Sequence, residues 1–394
     1  MTQETITPIN TITTPEELAA LCARLRDDTF LTVDTEFMRE RTYFPQLCLV
    51  QIAGEKEAAI IDALAPELKP KEVWAPFWEL MTNSSILKVF HAVRQDIEIF
   101  VNIAGIVPYP LFDTQVAALA LGFQDQVSYA RLAETLTGVY ISKEEQFTDW
   151  TARPLRDSQL EYALQDVTVL RRVYHEIREK LQTQNRYHWL SEEMTALDNI
   201  DHYRVNPDTM WERLKLRSNR PSSWAALKSL AAWREREAMR QNRPRQTILK
   251  DDVLTQIAMT VPVTREALAK TRNIPKQIAE GNQTENVLKL MQVAKQATPD
   301  SVPKRNEGPS LNAAQDDQFE IVKLALKITA RKHNVSTKLI ASNDDLTAFI
   351  INPDSSHLIQ GWRGELFGAI AHDLMNGKAA LMIKESKLVL EKLA

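Results

Sequence analysis

Two acidic side chains one residue apart stand in the sequence Val33-Asp34-Thr35-Glu36-Phe37, inside the β-branched and aromatic run 29–37. Side chains two apart on a strand share a face. Asp34 and Glu36 therefore project together, with Val33, Thr35 and Phe37 on the other side. Burying two unpaired carboxylates costs several kcal/mol, so either the strand end is wet or a cation sits between the acids. A second acid, Asp96, follows the apolar run 86–92 in His91-Ala-Val-Arg94-Gln-Asp96. It falls in the first turn of a helix beginning near Val93. There it can point back toward the strand's carboxyl end, where α/β sheets place their sites, or serve only the helix dipole. A third fragment, Tyr162-Ala-Leu-Gln-Asp166, sets a phenol and a carboxylate four apart on one helical face. Each fragment alone has a plain alternative: solvated acids, an N-terminal helix charge, or a packing tyrosine.

The elements that must carry these residues alternate in type. A helix opens at Pro15-Glu-Glu and runs to about Asp28. Strands are expected over 29–37, 47–53 and 58–62, a helix around 71–82, and another strand over 86–92. Helical periodicity then dominates from Asp113 to about Leu197. Strands alternating with helices, followed by a helical run, predict an α/β domain whose central sheet is covered on both faces. After Asn206-Pro207 strand signals nearly vanish, and short helices with proline at their junctions take over. The segment 296–310 is polar and rich in Pro and Ser, as linkers are. From about Asp317 a second helical module is expected to run to the C-terminus.

Taken in order, D-x-E on a strand, Asp after a later strand and Y-x-x-x-D on a helix resemble the DEDD exonuclease superfamily in its tyrosine-containing branch. The flanking runs VDTEFMRERTYFPQLCLVQIA, HAVRQDIEIF and YALQDVTVLRRVY look like the ribonuclease D family. RPSSWAALKSLAAWREREAMRQNRPRQTILKDDVL is similar to an HRDC domain, and the stretch containing GWRGELFG resembles a second one. The resemblance implies a ribonuclease H-like α/β exonuclease domain with a mixed central sheet over 1–205. It also implies an all-α HRDC domain over 206–294, a linker over 295–312, and an HRDC-like all-α domain over 313–394.

The same resemblance implies that Asp34, Glu36, Asp96 and Asp166 hold two divalent cations about 3.5–4 Å apart. Oxygen ligands select hard ions, Mg²⁺ or Mn²⁺. Tyr162 is expected to orient the attacking water. The expected reaction is 3′→5′ hydrolysis of RNA, releasing nucleoside 5′-monophosphates and trimming transfer RNA precursors. Thr35, Phe37 and Gln46 are candidate contacts to the terminal nucleotide. His91 and Arg94 are candidates near the phosphate, although packing or a surface ion pair accounts for them equally well.

Composition is compatible with this reading. The chain of 394 residues is 44% hydrophobic and 25% charged, and its net charge of −4 hides an asymmetry. Residues 1–200 have a net charge of −12, residues 201–300 of +7 and residues 301–394 of +1. A basic middle module suits a polyanion. Its richest stretch is Trp233–Arg245, where Arg240, Arg243 and Arg245 follow the last acid and are candidate RNA-holding residues. The amino-terminal residues have no secretory pattern, no apolar run is long enough to span a bilayer, and two cysteines make no disulfide framework. A cytoplasmic monomer is therefore expected.

Overall fold

The computed structural model describes residues 7–8, 11–301 and 309–393; much of the expected linker lies outside these. Strands β1 (Thr7–Pro8), β2 (Phe30–Met38), β3 (Gln46–Ala53), β4 (Glu57–Asp62), β5 (Leu87–Phe90) and β6 (Leu111–Asp113) form one mixed sheet. Their order is β1-β4-β3-β2-β5-β6. β2 and β5 run parallel, as do β5 and β6, whereas β3 and β4 are antiparallel. β3 is buried at every position after the first, as a strand covered on both faces must be. β2 is buried along its first half and half-exposed toward its end, where Asp34 and Glu36 lie. The wet strand end is thus built into the pattern.

Helices α1 (Pro15–Leu25), α2 (Ala75–Thr82), α3 (Arg94–Ala104), α4 (Thr114–Leu119), α5 (Tyr129–Thr137), α6 (Asp157–Thr183) and α7 (Ser191–Leu197) complete this part. α1 starts where its chemistry dictates, with a capping box between Thr14 and Glu17 and a proline in the first turn. α3 ends at Gly105, whose φ of 71° suits a left-handed cap. The helical periodicity expected from Asp113 begins one step later than a strand: Leu111–Asp113 is the sheet edge, too short for its period to register in the sequence.

Among the described residues, those in Met1–Glu36, Cys48–Ile200 and Glu307–Ala394 form one compact unit, and those in Phe37–Leu47 and Asp201–Asn306 form the other. In the first unit, a carboxyl-terminal set of helices, including Ala313–His333, shares a single apolar core with α5 and α6. Leu132, Leu170 and Tyr174 belong to the same cluster as Val322, Leu326, Phe349 and Phe367. Trp189 stacks on Trp362 with ring centroids 4.5 Å apart. The Arg363 guanidinium bonds Glu193 at 2.6 Å and the Ile340 carbonyl at 3.2 Å. Gly122, with φ of 84°, lies against Asn334 so closely that a Cβ would stand 2.4 Å from its Oδ1.

The all-α expectation for the last module is corrected. The chain closes in an antiparallel hairpin, β7 (Ala379–Lys384) and β8 (Lys387–Lys392). Its two turn residues, Glu385 and Ser386, both adopt positive φ, 51° and 61°. Such turns usually advertise themselves with Asn or Gly, and this one does not.

In the second unit, α8 (Pro221–Gln241) packs on α10 (Asp251–Thr260) and α13 (Thr284–Lys295) around Leu227, Leu230, Leu254, Ile257 and Met291. The segment between β2 and β3 belongs to this body. The Tyr43 hydroxyl donates to Glu235, which also pairs with Arg245 at 3.0 Å. The amide oxygen of Asn242, itself at φ 47°, accepts from the Tyr43 and Phe44 N–H groups at 3.1 and 3.0 Å.

Candidate active site

Asp34, Glu36 and Asp166 meet at one point, each offering a carboxylate oxygen within 4.8 Å of the others. The strand supplies the first two on one face. On that face Thr32 also bonds the Val167 carbonyl of α6 at 2.9 Å, so the helix bearing Asp166 is fastened directly over the strand. Asp96 occupies the first turn of α3 and is buried. The Thr35 hydroxyl, on the opposite face of β2, donates to it. Asp96 lies near enough to Asp34 and Glu36 for their charges to act on one another, although it is not one of the three that converge.

The turn carrying Asp96 is held by a residue the sequence did not single out. Asp113, at the end of β6, accepts from the Ala92 and Val93 N–H groups, both at 3.0 Å, while capping α4 through Gln115 at 2.7 Å. Ala92 has φ of 59°, a conformation that costs a β-carbon-bearing residue roughly 1 kcal/mol or more, and these two bonds hold it. The signal available was Asp-Thr after an apolar run, a helix N-cap pattern. Tyr129 is a second unforeseen neighbour: its phenol bonds the Gln165 carbonyl at 3.2 Å and is pushed up by burial and by Asp166 and Asp34. Nothing in its local sequence marks it.

Crowding shifts the acids in the direction electrostatics requires. Burial, followed by the charges of Asp34, Asp166 and Asp96, pushes Glu36 up to about 10. Burial raises Asp166 to about 7, opposed by the hydrogen bond from Tyr162. Asp34 and Asp96 are raised well above the usual carboxylate range, chiefly by burial and then by a neighbouring acid. Tyr162 is held above its ordinary value by burial and by Asp166, Glu36 and Asp34. Its phenol therefore keeps its proton and donates it toward Asp166.

One oxygen of Asp166 is buried without any hydrogen-bond partner. Leaving a buried acceptor unmatched costs about 1–3 kcal/mol, and a cation would satisfy it. The donor set is all oxygen, since both nitrogens of His91 are engaged elsewhere, with the Thr114 hydroxyl at 3.0 Å and the Val127 carbonyl at 3.1 Å. These residues fit hard divalent ions.

The remaining candidates are dispersed. Arg94 is exposed at the first position of α3, Phe37 is half-buried at the end of β2, and Gln46 is exposed at the start of β3. The basic stretch is less free than its sequence suggests. Arg240 pairs with Glu237 at 2.6 Å and Arg245 with the buried Glu235 at 3.0 Å. Arg234 reaches Asp251 rather than Glu237. Of the three arginines after Glu237 that were candidates for holding RNA, only Arg243 makes no ion pair with a described residue.

A mixed sheet whose second strand and covering helix bring three carboxylates together, with Asp96 on the adjoining α3 turn, suits metal-dependent phosphodiester hydrolysis. Comparisons with known proteins agree. The sequence profile for a 3′-5′ exonuclease matches residues 9–182, and that for an HRDC domain matches residues 224–290. Ribonuclease D of Granulibacter bethesdensis is 44% identical over 96% of both chains, and that of Nitrobacter hamburgensis is 43% identical over 96% of this chain and 98% of its own. The structure of Escherichia coli ribonuclease D, an exoribonuclease involved in structured RNA processing, superposes with a TM-score of 0.77. It is 28% identical and covers 93% of this chain and 98% of its own. The chain belongs to the ribonuclease D family. It is a hydrolytic 3′→5′ exoribonuclease with an HRDC domain and a divalent-metal-dependent site.

Proposed function

We propose that Asp34, Glu36, Asp96 and Asp166 hold two Mg²⁺ or Mn²⁺ ions and that Tyr162 aligns the attacking water on the 3′-terminal phosphodiester of RNA. The observation that carries this reading is the convergence of three carboxylates within 4.8 Å around a buried, unpartnered oxygen of Asp166. Two such ions would acidify a bound water and stabilise the leaving 3′ oxygen. Asp34 and Glu36 supply charge from the strand, Asp96 from the α3 turn, and Asp166 from α6. Thr35 fixes the Asp96 carboxylate through its hydroxyl. Tyr162, kept protonated by its acidic neighbours, orients rather than deprotonates.

The product on this reading is a nucleoside 5′-monophosphate, and the substrates are transfer RNA precursors and other structured RNAs with free 3′ ends. The exonuclease domain is read over residues 1–205 and the HRDC domain over 206–294, followed by 295–312 and by 313–394, whose helices share the exonuclease core. Thr35 and Phe37 adjoin the terminal nucleotide, and Arg243 contributes to holding RNA. A monomer suffices, because all four acids come from one chain. Two buried cysteines, Cys22 and Cys48, support a reducing, cytoplasmic setting; among the described residues no helix is long and apolar enough to cross a membrane.

The test incubates the protein with a 3′-extended transfer RNA, with Mg²⁺, with Mn²⁺, and with a chelator. Stepwise shortening with release of 5′-monophosphates, abolished by the chelator, is expected. Internal cuts, 3′-monophosphate products or chelator-resistant turnover would refute it.

A further inference from the structure

The two most exposed aromatic rings among the described residues lie on one stretch, the connection 138–156 between α5 and α6. Tyr140 is 77% exposed and Phe147 91%. A single exposed apolar side chain ordinarily needs no explanation. Phe147 differs because the segment presenting it is fixed. It stands at the third position of a turn closed by the Thr148 N–H donating to the Glu145 carbonyl at 3.1 Å. Both ends of that turn are tied to the start of α6. The Glu145 carboxylate accepts from Ser158 at 2.8 Å and pairs with Arg156, and the Thr148 hydroxyl accepts from Gln159 at 2.9 Å. Downstream, Trp150 is buried with its ring 6.2 Å from that of Tyr162, and Arg153 is clamped to Asp62 at 2.6 and 2.7 Å. Gln159 and Tyr162 are three residues apart, less than one ~5.4 Å helical turn. The exposed ring is therefore displayed from a braced turn beside the reacting end of the site.

We propose that Phe147 is a stacking platform for a base of the RNA strand upstream of its 3′-terminal nucleotide. The inference rests on the reading of the acids as an RNA-degrading site. A strand whose 3′ end reaches those acids must leave past the elements around them, and a rigid apolar ring there matches the one surface every nucleobase offers, its π-face. Such a contact is sequence-tolerant, as trimming of varied 3′ ends requires. Phe147 touches no reacting atom on this account; it positions the strand.

The experiment measures hydrolysis of 5′-labelled oligoribonucleotides from two to eight residues long by wild-type protein, Phe147→Ala and Phe147→Trp. For the longer substrates Phe147→Ala is expected to raise KM about 5- to 100-fold with kcat at saturation retained, and Phe147→Trp to restore it. A nucleoside 5′-monophosphate p-nitrophenyl ester, which carries no upstream base, should be cleaved equally by all three. In the Asp166→Asn background, RNA carrying 2-aminopurine at successive positions should show quenching at one upstream position that disappears with Phe147→Ala. An unchanged KM on long substrates would overturn the assignment. So would an equal loss on that ester, or loss of self-association in sedimentation with RNA turnover intact, which would make the ring a contact between copies. If wild-type protein degrades no RNA at all, the reading of the acids has failed first, and the platform falls with it.

Discussion

Each acid at the centre of this molecule is expensive without a cation, and this makes single residues informative. Asp34→Asn, Asp96→Asn and Asp166→Asn are each expected to reduce RNA hydrolysis to background while circular dichroism stays native. Tyr162→Phe is expected to cost less, about 10- to 100-fold in kcat, because the metal ligands remain and only orientation is lost. Asp113→Ala should act through the Ala92–Val93 turn. Its loss frees four N–H groups, so about 2 kcal/mol of stability and a fall in kcat larger than in KM are expected from urea melts and kinetics. The pH dependence has a definite sign. Asp166 titrates at about 7 in the fold but near about 3.9 in an unfolded chain. Between these values the folded state binds more protons, so this group's contribution to metal-free stability falls as pH rises. Divalent ions bind the deprotonated form, so the rise in Tm on adding Mg²⁺ or Mn²⁺ should be greater at pH 8 than at pH 5; an equal rise would count against this titration.

At the scale of elements, β5 shows how a buried charge can serve a sheet. The Lys88 side chain is fully buried, its ammonium donating to the Asn83 and Ile86 carbonyls at 2.7 and 2.6 Å and to that of Tyr109. Burial pulls it down to about 7. Lys88→Met would leave three carbonyls unmatched, and a loss of about 2–4 kcal/mol in denaturant midpoint experiments is expected. The strand and helix pattern around it was legible in the sequence because its periods are clear. β2, β3 and β4 fall within one residue of the apolar runs that announce them, and the D-x-E and Y-x-x-x-D fragments name the three acids that converge. What escaped was local or distant by nature. β6 has three residues; the Glu385-Ser386 turn uses residues seldom found at positive φ; and the Arg245–Glu235 pair and the bonds from Ala92 and Val93 to Asp113 depend on packing that no local pattern encodes.

At the scale of the whole molecule, the carboxyl-terminal helices are part of the exonuclease body rather than an appendage. One apolar cluster runs through Leu170 and Tyr174 to Phe349 and Phe367. A chain ending at residue 301 would expose that face, and aggregation or loss of cooperative unfolding is expected on purification. Trp362→Ala, which removes a stacked partner of Trp189, should destabilise by about 3–5 kcal/mol if the site cannot collapse. In the other unit, Arg245→Ala should destabilise, because it strips the cation from a carboxylate with no exposure at all. Arg243→Ala should leave the melt unchanged and reduce the salt slope of RNA binding by about 1.

The division of the chain between its two bodies carries a consequence for how such proteins can be rebuilt. Phe37–Leu47 belongs with the helices of Asp201–Asn306, and Tyr43 donates a hydrogen bond to Glu235 there. A graft of the helical stretch alone onto an unrelated nuclease would lose that donor and leave a fully buried acid with Arg245 as its partner. Recombination can transfer this domain intact only if the donor's catalytic strand connection travels too.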